Sequence, residues 1–130
     1  MKKQILTFIF FAISLVATAQ TTAIINVYAV ESAKVNKQTG LLDFDSIQTI
    51  KMDILIKDSL LSIKSSKNSA EYKILREWAD AEDILKFLVI DPKTQGLFEV
   101  SIFNGEDLSE RTIELKNMET YTLFRGTQIN

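Results

Sequence analysis

The chain has 130 residues, a formal net charge of −2, no cysteine and no histidine. These absences exclude Ser-His-Asp and Cys-His nucleophilic catalysis within one chain, zinc sites built from His and Cys, haem on its usual His or Cys ligand, and every disulfide. The slightly acidic balance offers no electrostatic footprint for nucleic acid, and there is no basic run, Gly-rich phosphate loop or tandem repeat.

The N-terminus has the three-part order of a secretory signal. Lys2 and Lys3 supply a short positive region, residues 5–16 (ILTFIFFAISLV) are almost entirely apolar, and Ala17-Thr18-Ala19 places small residues where a signal peptidase reads. The apolar run is shorter than the roughly 20 residues of a membrane span. Residues 1–19 are therefore expected to be a Sec signal, cleaved before Gln20. Residues 20–130 are expected to be one secreted or periplasmic domain with no stable membrane span. No lipobox cysteine and no Asn-x-Ser/Thr acceptor is present. Without a disulfide, the domain must rest on its hydrophobic core, which a chain of this size can build.

After residue 20 the dominant period is two, the strand period. Ala23, Ile25, Val27 and Ala29 fall on one face of a first strand, with Ile24, Tyr28 and Val30 on the other. Asp43 and Asp45 flank Phe44 in what reads as a loop after Gly40. Ile50, Met52, Ile54 and Ile56 alternate with Lys51, Asp53 and Lys57, and Asp58-Ser59 reads as a tight turn before Leu61 and Ile63. Residues 65–69 are a polar loop. An apolar run at 86–91 stops at Asp91-Pro92, where Pro92 fits the turn and Gly96 is expected to supply its positive φ. Phe98, Val100 and Ile102 then share a face, the turn dipeptide Asn104-Gly105 follows, Ile113 and Leu115 alternate with polar neighbours, and residues 120–124 form a last strand.

Residues 68–88 fit two periods. Ile74, Trp78, Ala81, Leu85 and Leu88 recur at helix spacing, and Asn68 with Glu71 resembles a capping box. Tyr72 and Ile74 also alternate as a strand, and a hairpin through the loop at 65–69 is natural. The preferred reading is a strand over residues 71–75, an acidic loop or single helical turn at 77–83, and a strand from Ile84. The fold class is thus all-β, with room for one short helix near residues 77–83. About seven or eight strands form an antiparallel meander that closes as a small barrel or folds over as a sandwich.

The carboxylates Glu77, Asp80, Glu82 and Asp83 cluster around Trp78, the single tryptophan. A glycosidase pair or a weak Ca²⁺ site is chemically conceivable there or at Asp43 and Asp45, but a solvated acidic loop explains both groups, and no EF-hand pattern is present. Trp78 either stacks on a partner or folds back as a plug over the core. Trp78, Glu77, Asp80, Glu82 and Asp83 are the candidate partner-binding residues. No catalytic or metal-binding residue and no cofactor is assigned.

The signal ending in Ala-Thr-Ala-Gln resembles those of Bacteroidota. The segments Tyr72-Lys-Ile-Leu, Leu88-Val-Ile-Asp91 leading to Gly96, Glu99-Val-Ser-Ile-Phe103, Thr112-Ile-Glu-Leu-Lys-Asn117 and Tyr121-Thr-Leu-Phe124 are similar to the small uncharacterised secreted proteins of those bacteria. The turn departs from a plain Asp-x-x-Gly, and no cysteine follows it. The resemblance implies an all-β exported domain and carries over no activity and no functional residue.

The expected function is non-catalytic binding of a small apolar ligand or of a protein partner. A structural role at the envelope and a carboxylate-based hydrolase are the rivals. A hollow interior favours the ligand, and an exposed apolar patch or open strand edge favours the protein partner.

Overall fold

The computed structural model describes residues 22–45, 47–82 and 84–129. The expected export signal, residues 1–19, and Asp83 lie outside the described residues. Nine strands and no helix occur among them: β1 (Ala23–Val35), β2 (Leu42–Phe44), β3 (Met52–Lys57), β4 (Leu60–Ser65), β5 (Ser69–Ala79), β6 (Leu85–Ile90), β7 (Leu97–Asn104), β8 (Glu110–Lys116) and β9 (Thr120–Gln128). Every neighbouring pair is antiparallel. β1 pairs with β3 on one side and with β9 on the other, so β1 and β3–β9 close an eight-stranded barrel, and β2 is added beside the end of β1. The meander is a barrel and not a sandwich.

Alternation works because each strand buries one face. Ile25, Ile54, Ile56, Leu61, Phe87, Val89 and Val100 are all essentially inaccessible to solvent and meet in the centre. Val30, Met52, Ile63, Tyr72, Ile74, Leu85 and Phe98 pack around them. Eight strands enclose a space that side chains of this size can fill. At one end, Arg111 Nε donates to Gln128 Oε1 at 2.9 Å and its Nη1 ties down the β7–β8 loop through the carbonyls of Leu108 and Glu110. That near end holds the start of β1. The far end holds the turns β1–β2, β4–β5, β6–β7 and β8–β9.

Two bulges interrupt the period. Tyr28 is the extra residue of β1 against β9, and Leu75 that of β5 against β6. Each inserted residue flips the faces beyond it and sharpens the local twist that closure needs. Ala29 consequently pairs with Arg125 on the outer face, and Val30 turns inward beside Phe124, the reverse of the simple alternation.

The helical alternative at residues 77–83 is not realised. β5 runs on to Ala79, pairing Glu77 with Phe87, Trp78 with Lys86 and Ala79 with Leu85. The residues at helix spacing do not share a face: Ile74 and Leu85 pack against the core, whereas Trp78, beyond the Leu75 bulge, stands on the outer side beside Lys86. The last strand likewise continues through Gly126 to Gln128 instead of stopping near residue 124.

The turns show where side chains sit in the left-handed region. Asp58 (φ 53°) and Ser59 (φ 63°) form a two-residue hairpin with positive φ at both positions. In the β6–β7 turn the positive φ belongs to Gln95 (62°), not Gly96, because Gln95 N–H closes back on the Asp91 carbonyl at 2.8 Å. A turn with both central residues left-handed favours Asn-Gly strongly over Asp-Ser. Replacing Asp58-Ser59 by Asn-Gly is expected to raise stability by about 1 kcal/mol. The urea midpoint should rise with unchanged slope; no rise would mean that this turn is not of that type.

Candidate functional site

Of the residues singled out from the sequence, Trp78, Glu77, Asp80 and Glu82 lie at the near end, but they do not form one surface. Trp78 stands on β5, half-buried on the outer face. The Arg76 guanidinium lies over its ring, 5.1 Å from the centroid, and Lys86 is its cross-strand neighbour. It is neither a loop residue nor a plug inside the barrel. Glu77 pairs with inward-facing Phe87 and therefore sits on the opposite face of the strand. Asp80 shapes the β5–β6 turn: its Oδ1 accepts the N–H of Glu82 at 2.8 Å and of Ile84 at 3.0 Å. Glu82 is exposed. Asp83 lies outside the described residues.

The remaining acidic candidates, Asp43 and Asp45, lie toward the far end, away from Asp80 and Glu82. Among the described residues no group of three or more acidic side chains is placed to hold a metal ion. Among the described residues these side chains thus form no cation cage.

A different region gathers exposed apolar groups. Between β1 and β3 the chain runs back along β1: Leu42, Asp43 and Phe44 pair with Val35, Lys34 and Ala33, Asp45 N–H donates to the Ser32 carbonyl, and Val30 and Gln48 exchange backbone hydrogen bonds at 2.9 Å. Phe44 meets Tyr121 edge-on, with centroids 5.9 Å apart, and Ala33 lies between their two strands, only 3% exposed. Phe44 remains 50% exposed, Ile47 60% and Leu41 67%, with Leu42 and Tyr28 also on the surface. In the sequence Asp43, Phe44 and Asp45 read as a loop, whereas the structure makes Leu42–Phe44 a strand beside β1 with Leu41 and Ile47 exposed next to it. An apolar residue at 41, 42, 44, 47 and 50, in a stretch without a clean period of two, was the available signal.

Tyr121 anchors this seam to the barrel. Its hydroxyl donates to Glu114 Oε2 at 2.6 Å. Burial, then that hydrogen bond, then the charges of Glu114 and Glu31 push the phenol far above the ordinary tyrosine range, so it stays a neutral donor. Tyr72 is also raised, by burial and then by the charge of Asp91, and its ring meets Phe98 edge-on at 5.6 Å inside the barrel.

Two grooves accompany these features. One at the far end, about 540 Å³, is lined by Leu88, Leu97, Phe98, Lys116 and Met118 among others. Another, about 840 Å³, runs along Asn26, Tyr28, Ile50, Met52 and Lys64. No protein-family description, no curated protein and no solved structure matches the chain.

Proposed function

We propose that this chain is an exported, non-catalytic barrel domain that binds another protein through its outer surface. The observation that carries this reading is the filled interior: Phe87, Val89, Val100, Ile25 and Ile54 are each 0% exposed where a ligand of a hollow barrel would lie. The exterior supports it too. Outward positions on β6 to β9 carry Lys86, Glu99, Glu114, Lys116 and Arg125, with Lys86 Nζ paired to Glu99 at 3.2 Å. A polar outside around an apolar inside is opposite to a barrel that spans a bilayer. Export rests on the order of charged, apolar and small residues over 1–19.

The second reading, a small apolar ligand, draws on the far-end groove, where Leu97 and Met118 stand exposed at the rim. One experiment separates the two. The protein is purified from an exporting host and its methyl resonances are followed while a long-chain fatty acid is added. The expected result is no saturable shift at Val89, Val100 or Leu97, and no small molecule released on extraction. A saturable shift of these methyls, or a stoichiometric extracted lipid, would overturn the protein-binding reading.

A further inference from the structure

Among the described residues β2 is paired along one edge only. β3 is covered by β4 only as far as Met52, which pairs with Ser65. β2 lies beyond that point, and among the described residues it has a partner only in β1. Asn36 N–H donates to the Leu41 carbonyl at 2.8 Å and Asp45 N–H to the Ser32 carbonyl at 2.7 Å. In an antiparallel ladder the bonding residues alternate. Residues 41, 43 and 45 therefore address β1, and Leu42 and Phe44 turn their N–H and C=O groups away from it, toward the open side.

The side chains along this edge have a definite chemistry. Leu42 and Phe44 present exposed apolar groups on the outer face, continued by Ile47. Asp43 and Asp45 alternate with them, both exposed, and neither carboxylate makes an ion pair or hydrogen bond with a described residue. An open edge of a small barrel is a liability unless it is blunted or used. Pairing with a second copy would run this edge antiparallel to itself and set Asp43 and Asp45 against the same two acids, which like-charge repulsion opposes.

We infer that the β2 edge takes an extended segment of a partner protein in which apolar and basic residues alternate, added as a strand beside Leu42–Phe44. The inference rests on the protein-binding reading and deepens it. The partner's backbone completes the free N–H and C=O groups of Leu42 and Phe44. Its apolar residues extend the face of Leu42, Phe44 and Tyr121, and its basic residues meet Asp43 and Asp45.

The test uses two synthetic peptides, one alternating valine with lysine and one alternating valine with glutamate, against the full chain from an exporting host. The lysine peptide is expected to bind about tenfold tighter or more, to weaken as salt is raised, and to slow amide exchange at Leu42 and Phe44. The double variant Asp43→Lys, Asp45→Lys should reverse the preference. Leu42→Pro removes an outward-pointing N–H together with an exposed side chain, so it should keep the thermal midpoint and lose the binding, whereas Leu42→Ala, which keeps the N–H, should retain most of it. Three results would overturn the inference: equal binding of both peptides, protection of amides elsewhere, or self-association of the chain abolished by Leu42→Pro. If these occur while the fatty-acid titration still finds the interior closed, only the edge assignment fails. A saturable interior shift would instead remove the reading beneath it.

Discussion

Replacing Phe87 by alanine is expected to cost about 3–5 kcal/mol. Phe87 is 0% exposed and sits on β6 with Glu77 on one side and Val100 on the other, at the centre of the cluster that closes the barrel. Truncation removes the buried ring and leaves a void that a closed ladder of eight strands cannot collapse to fill. For a domain whose total stability is on the order of 5–15 kcal/mol, that is a large share. Urea denaturation of Phe87→Ala beside Lys51→Ala checks it, since the exposed lysine should lose about half a kcal/mol or less. A loss under about 1 kcal/mol at Phe87 would mean that the interior there is already loose. The small-ligand reading would then regain its basis.

Gly126→Ala is expected to destabilise by ~3 kcal/mol, with an overpacking origin in place of a cavity. Gly126 pairs with Val27 in the β1–β9 ladder that closes the barrel. A Cβ there would stand 2.4 Å from the Asn26 carbonyl oxygen and 2.9 Å from Ile25 Cγ2. The oxygen belongs to backbone held on both sides, by β3 and by β9, so relief requires opening the seam itself. Gly40 provides the contrast: an added Cβ meets nothing within 4 Å, and only its φ of 72° resists substitution. Gly40→Ala should therefore cost about 1–2 kcal/mol and leave the barrel closed. Thermal melts of both variants, with hydrogen exchange at the β1 and β9 amides, distinguish the two mechanisms. Fast exchange confined to β1 and β9 in Gly126→Ala is the expected signature, and a neutral Gly126→Ala would place the ladder in another register.

The filled interior and the open β2 edge come from the same geometry. Pairing of β1 with β9 closes the sheet on itself, and among the described residues β2, beyond the end of β4, is left paired with β1 alone. The exposed Leu42, Phe44 and Ile47 lie along this edge, where the proposed strand addition would take place.

Much of this was legible in the amino-acid order alone. The alternation of Ile54 and Ile56 with Asp53 and Lys57, or of Val100 and Ile102 with Glu99, follows from a local rule: successive side chains point to opposite faces, so a half-buried strand writes its period directly into the sequence. The exclusion of His and Cys chemistry is equally local. Barrel against sandwich was not legible, because closure depends on Ala29–Lys34 pairing with Thr120–Arg125, a contact between the two ends of the domain that no neighbouring residues encode. The bulges at Tyr28 and Leu75 were hidden for the opposite reason. Each is a single inserted residue whose only trace is a shift in parity, and beyond Leu75 that shift puts Trp78 on the face opposite to Ile74 although the two are four residues apart. Trp78 and Asp80 looked like one acidic site because they are close in sequence. The tertiary structure set them apart by placing Trp78 on the outer face of a strand and using Asp80 to fold the turn. It also made Phe44 and its flanking acids an edge strand, since only the run of β1 past the end of β4 leaves that backbone a partner on one side and open space on the other.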